Sequence, residues 1–197
     1  MKRIAIVVAV LAIAGCKKEQ PATRGASISE KSPAKSPAKS PGEGLRQLQL
    51  SLPVEKLGFK PNADFPTVYG VLTEWPTQGM VVTVSSMRDG SASIYMSSGG
   101  FLIGGQAYEK VRQAAVRHVK TAEQFAKLGK PDTTFAYPKS DQVFYHLLTY
   151  DGVRLVVGDA IEVAMGRDPT APLFEAAKDV MNKWDLEIKK QKSLPKH

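Results

Sequence analysis

Met80-Val81-Val82-Thr83-Val84-Ser85-Ser86-Met87-Arg88-Asp89-Gly90-Ser91-Ala92-Ser93-Ile94-Tyr95-Met96-Ser97 reads as two strands and the turn between them. β-Branched and apolar residues fill 80–87. Asp89-Gly90 supplies the pair that tolerates the positive φ of a tight hairpin turn. Beyond it Ser91, Ser93 and Ser97 alternate with Ala92, Ile94 and Met96, the period of a strand with one apolar face. Upstream, Val68 to Trp75 is a similar run that stops at Pro76. The connections are too short for crossovers, so the three runs predict an antiparallel meander.

Downstream, the glycine-rich run Gly99-Gly100-Phe101-Leu102-Ile103-Gly104-Gly105 precedes a helical pattern over 107–128. Tyr108, Val111, Ala115, Ala122 and Phe125 recur at helical spacing there, and Gly129-Lys130-Pro131 stops the helix. Asp151-Gly152 between Val143–Tyr150 and Val153–Val157 is the strongest hairpin signal in the chain. Thr170 is placed to cap a last helix whose stripe is Leu173, Ala177, Val180, Met181, Trp184 and Ile188. Pro172 falls in its tolerated first turn. Ile161 to Met165 reads as an added edge strand, and 45–65 as a short helix or an extended lead-in. The expectation is an α+β fold of order β-β-β-α-β-β-α: one mostly antiparallel sheet of about five strands with two helices on one face. This order resembles the profilin-like and roadblock-like α/β sandwiches, a likeness of topology that carries no function.

The amino terminus points to a location. Met1-Lys2-Arg3 precedes an apolar run from Ile4 to Ala14. That run is too short to span a bilayer, which needs about 20 residues, and has the length of a signal-peptide core. It ends in Ile13-Ala14-Gly15-Cys16, which resembles the lipobox of bacterial lipoproteins. The resemblance implies cleavage before Cys16, a thioether from its thiol to a palmitate-type lipid, and a membrane anchor in the cell envelope. Lys17 in place of Asp implies the outer membrane, facing the periplasm. Cys16 is the only cysteine, so the rest of the chain has no disulfide, thiol nucleophile or thiolate metal site.

Composition divides the chain into a signal peptide at 1–15, lipidated Cys16 with a tether to 44, a globular domain at 45–188 and a basic tail at 189–197. The tether repeats Lys-Ser-Pro-Ala over 31–41 without a large apolar residue, the composition of a disordered extended segment. The net charge of +8 is unevenly placed. Residues 1–44 carry eight Lys or Arg against three acids, the tail carries four Lys, and the domain holds 15 basic and 16 acidic residues. A nearly neutral domain argues against a nucleic-acid partner, which needs a concentrated basic face.

Site signals are sparse. Gly99, Gly100, Gly104 and Gly105 lead to a helix start, where free N–H groups could receive a phosphate or carboxylate. The plain alternative is a tight turn with Phe101, Leu102 and Ile103 packed on the core. His118, beside the apolar stripe of its helix, and His146, alternating with Phe144 and Leu148, are each readable as a general base or as a hydrogen-bonded core residue. Neither has acidic companions at metal-ligand spacing, and no metal or cofactor is expected. Ser85, Ser86, Ser97 and Ser98 lie in no G-x-S-x-G elbow, and Asp159 with Glu162 suggests no shared cleft. Tyr69, Trp75 and Tyr150 are candidate exposed aromatics. Val71, Val81, Leu147 and Val156 make the sheet's second face too apolar for open solvent, which predicts either cover by the lead-in or a partner.

The stretches Tyr69-Gly70-Val71-Leu72, Asp89 to Tyr95 and Ser98 to Gly105 resemble a family of small uncharacterised bacterial proteins over about 66–184. That likeness implies no substrate or catalytic residue. The expected role is a non-enzymatic interaction or accessory module on the envelope. A small-anion sensor and a weak hydrolase are the alternatives.

Overall fold

The computed structural model describes residues 40–193, so the expected signal peptide, Cys16 and most of the expected tether lie outside the described residues. The described chain is α+β, with one antiparallel sheet and four helices. The strands are β1 (Val68–Thr77), β2 (Met80–Met87), β3 (Ala92–Met96), β4 (Phe101–Ile103), β5 (Lys130–Pro131), β6 (Gln142–Thr149) and β7 (Gly152–Asp159). Their spatial order is β4-β3-β2-β1-β6-β7-β5. The meander and the second hairpin therefore join through β1 and β6, with Val71 opposite Leu147 and Leu72 opposite His146. The sheet has seven strands rather than five. The two additional ones, β4 and β5, are three and two residues long, too short for a periodic signal.

The helices are α1 (Pro41–Ser51), α2 (Glu109–Glu123), α3 (Ala160–Ala164) and α4 (Ala171–Ser193). α2 and α4 cover one face. Val71, Leu147, Val156, Val119, Ala122 and Leu173 form one half of the core beneath them. Val84, Ile94, Val111, Val180 and Trp184 form the other half. Val71, Leu147 and Val156 thus belong to the helix-covered face and not to the second one. The second face carries Leu72, Met87 and Leu148, and Leu50, Val54, Leu57 and Phe59 of the lead-in pack on it. Both faces of the central strands are buried, so β1 and β6 read as near-continuous apolar runs.

Three boundaries move. Ser40 caps α1 by accepting from the Glu43 N–H, and Pro41 sits in the first turn, so residues 41–44 are helix rather than tether. α4 continues through Ser193, beyond the start expected for the tail. Residues 161–164 are helical rather than strand, and Met165 is the cap that follows. Asp159 accepts from the N–H groups of Ile161 and Glu162 and starts α3, which outweighs the β-branched composition. The Thr170 side chain points into the core instead of capping α4, donating to Tyr145 Oη at 3.2 Å.

Candidate functional site

Glu74 is a carboxylate in the middle of a buried strand. Side chains alternate along β1, so Glu74 shares the second face with Leu72 while Val71 and Thr73 face the helices. Its carboxylate is fully buried and receives four polar groups. Arg46 of α1 binds it in a fork, Nε to Oε1 and Nη2 to Oε2 at 2.7 Å. Thr83 on β2 donates to Oε1 at 2.8 Å, and His146 Nε2 on β6 lies 3.2 Å from Oε2. Burial alone would push the Glu74 carboxyl up, but the Arg46 and His146 hydrogen bonds outweigh it and hold it below its ordinary value.

The network continues in both directions. Arg46 is itself 2% exposed, donates to the carbonyls of Phe135 (2.9 Å) and Ala136 (3.2 Å), and lies 4.1 Å from the centre of the Tyr137 ring. On the far side of the imidazole, His146 Nδ1 faces Asp132 Oδ2 at 3.4 Å. That separation suits a charge contact, but its geometry is not a hydrogen bond, and both atoms are buried without hydrogen-bond partners. Burial pushes the Asp132 carboxyl up, while hydrogen bonds from Thr134 and the nearby His146 hold it below the carboxylate range. The row Arg46–Glu74–His146–Asp132 therefore joins α1, the sheet and the 132–137 segment. Residue spacing could not reveal it, because its members are 14 to 100 positions apart. One local signal exists: a lone charge in Leu72-Thr73-Glu74-Trp75, a run otherwise suited to the interior.

His118 lies on the other face of the sheet and is fully buried. Its Nδ1 is 3.0 Å from Ser86 Oγ and its Nε2 3.0 Å from Thr73 Oγ1. Burial drives its pKa down to about 3, so the ring is neutral at physiological pH. A serine beside a histidine is the start of a nucleophile–base pair, but the third position is the Thr73 hydroxyl rather than a carboxylate. Ser97 Oγ accepts from the Val81 N–H, Ser98 is exposed beside Met80, and Ser85 is buried. Asp159 serves as the α3 cap, and Glu162 pairs with Arg167 at 2.6 Å. An open hollow of about 430 Å³ near the β1–β2 turn is lined by Thr77, Gln78, Ser97 and Ser140, among others, and does not reach either histidine.

The glycine run does not enter α2 directly. Gly99 (φ 111°) and Gly100 form the β3–β4 turn under the first turn of α1, β4 follows, and Gly104 (φ 87°) starts a 3-10 turn. Gly105 is buried against Ala92, Val111 and Trp184, and Tyr108 occupies the cap position of α2. Phe101, Leu102 and Ile103 are 44, 36 and 60% exposed, in place of the expected core packing. Conversely Tyr69 is buried between Phe59 and Tyr150, Trp75 packs edge-on to Phe174 at 5.2 Å, and Tyr150 Oη accepts from Arg88. The exposed apolar side chains among the described residues include all three of β4 and none of the candidate aromatics.

No protein-family model, curated protein or solved structure matches this chain.

Proposed function

We propose that this chain is a lipid-anchored envelope lipoprotein whose folded domain works by protein contact rather than by catalysis. The anchor rests on Lys2-Arg3, the apolar run and Ile13-Ala14-Gly15-Cys16. The contact role rests chiefly on one observation. The two histidine clusters among the described residues are sealed from solvent, while three consecutive apolar residues of an edge strand are open. A tether on a fixed end raises the local concentration of the domain at the membrane, so a modest contact surface suffices.

Two measurements test this reading. Mass spectrometry of the mature protein is expected to find an acylated amino terminus at Cys16; an unmodified chain that retains residues before Cys16 overturns the anchor. Phosphate and small-carboxylate titrations are expected to leave the amide signals of 99–107 in place. Saturable shifts there would favour a ligand sensor instead.

A further inference from the structure

The two edges of the sheet differ in a way that bears on assembly. β5 forms one edge with Lys130 and Pro131, the residue types that discourage a foreign strand. β4 forms the other edge with Phe101-Leu102-Ile103 and has neither guard. The Met96 N–H donates to the Gly100 carbonyl at 2.8 Å, so Met96 and Gly100 are a hydrogen-bonded pair. Such pairs alternate along an antiparallel ladder, so Ile94 and Leu102 bond next. The N–H and C=O groups of Phe101 and Ile103 then point away from β3, and no described residue pairs with them.

The sequence around β4 reads almost the same in both directions. Gly99-Gly100-Phe101-Leu102-Ile103-Gly104-Gly105 is Gly-Gly, apolar, Leu, apolar, Gly-Gly, centred on Leu102. An antiparallel pair about a two-fold axis sets each strand against its own reverse. Centred on Leu102, that axis places Phe101 opposite Ile103 of the second copy, Leu102 opposite itself, and Gly100 opposite Gly104. The outward groups of Phe101 and Ile103 exchange hydrogen bonds, and the glycines let the flanks pass without side-chain collision. Leu102 meets its counterpart on the face of Ile94, continuing the row beneath α2 and α4.

We propose that β4 is a self-pairing edge through which two copies of this chain join into one continuous sheet. The inference rests on reading the domain as a contact module and names its partner as a second copy. Three residues bury less than a standard interface, so the association is weak and concentration-dependent. It closes at two, because pairing consumes both β4 edges and leaves only the guarded β5 edges.

The test is sedimentation and amide exchange on the chain from position 16 onward, carrying Cys16→Ser so that neither the apolar leader nor a disulfide can mimic pairing, from about 10 μM to about 1 mM, a range that brackets weak affinities. The expected result is a mass that rises toward twice the monomer and stops. With it, exchange at Phe101 and Ile103 slows as concentration rises, while Leu102, already bonded to β3, stays slow throughout. Leu102→Lys sets like charges opposite each other and is expected to hold the chain monomeric, with its thermal midpoint kept. Ile103→Lys, at the more exposed position, gives the same readout if Leu102→Lys unfolds. A monomer with concentration-independent exchange overturns the proposal, as does growth past the dimer. Given a monomer, a photocrosslinker at position 102 in cells separates the two failures: capture of another protein sinks only self-pairing, and no capture sinks the contact reading too.

Discussion

Arg46 and Glu74 are ionised groups buried against each other, and the consequence differs for one partner and for both. Losing Arg46 alone strands the Glu74 carboxylate in the interior. Arg46→Leu is expected to lower stability by about 3–5 kcal/mol in urea denaturation, with Arg46→Leu/Glu74→Leu recovering much of it because an apolar pair needs no solvation. Equal losses in the single and double variants would contradict this account. His118 gives a pH prediction. Its folded pKa, about 3, lies below the ordinary 6.5, so the unfolded chain binds the proton more tightly. Its contribution is therefore complete above about 6.5 and declines as pH falls toward 3. Between pH 7 and pH 5 the loss is about 2 kcal/mol, read as the difference between the parent and His118→Gln. Glu74 and Asp132, held below their ordinary values, add a further loss at lower pH, as pH falls through their folded values.

Two glycines of α1 test how that helix is seated. A Cβ on Gly42 would meet the carbonyls of Met96 and Gly100 at 2.6 and 2.8 Å, and both are backbone atoms that cannot swing aside. A Cβ on Gly44 meets nothing within 4 Å. Gly42→Ala is expected to lower the thermal midpoint by lifting α1 off the β3–β4 turn. Gly44→Ala is expected to raise stability by about 0.5–1 kcal/mol through helix propensity. The reverse order would mean that α1 does not dock there. Elements long enough to show a period were legible: the meander, the second hairpin, α2 and α4. The short ones were not. β4 and β5 exist because a neighbouring strand offers an edge, and α3 depends on one cap at Asp159, which the alternation of Ile161 and Val163 obscured.

In the described domain the lead-in is a structural layer and not a linker. Leu50, Val54, Leu57 and Phe59 cover Leu72, Tyr69, Met87 and Leu148, and Arg46 neutralises the buried Glu74. Deleting residues 41–59 uncovers that apolar face and leaves Glu74 without its strongest partner. The expected product binds hydrophobic dye, loses near-ultraviolet circular dichroism and unfolds without a cooperative transition. A deletion variant that still unfolds cooperatively near the parent midpoint would show the second face to be dispensable.

Local periodicity and turn chemistry are enough to specify the class of fold, the meander and hairpin, and the faces of α2 and α4. The sequence also carries the amino-terminal pattern ending at Cys16, on which the proposed anchor rests. The meeting of Arg46, Glu74, His146 and Asp132 comes from long-range packing, since side chains separated by up to 100 residues become neighbours through the β1–β6 pairing and the closing of α1. Tertiary packing likewise decided which apolar residues remain outside. Tyr69 and Phe101 are both aromatic residues next to glycine, but Tyr69 lies in the central strand under the lead-in and Phe101 at an edge that nothing among the described residues covers. Exposure is set by what lies across the sheet, and a residue's own neighbours in sequence do not contain that information.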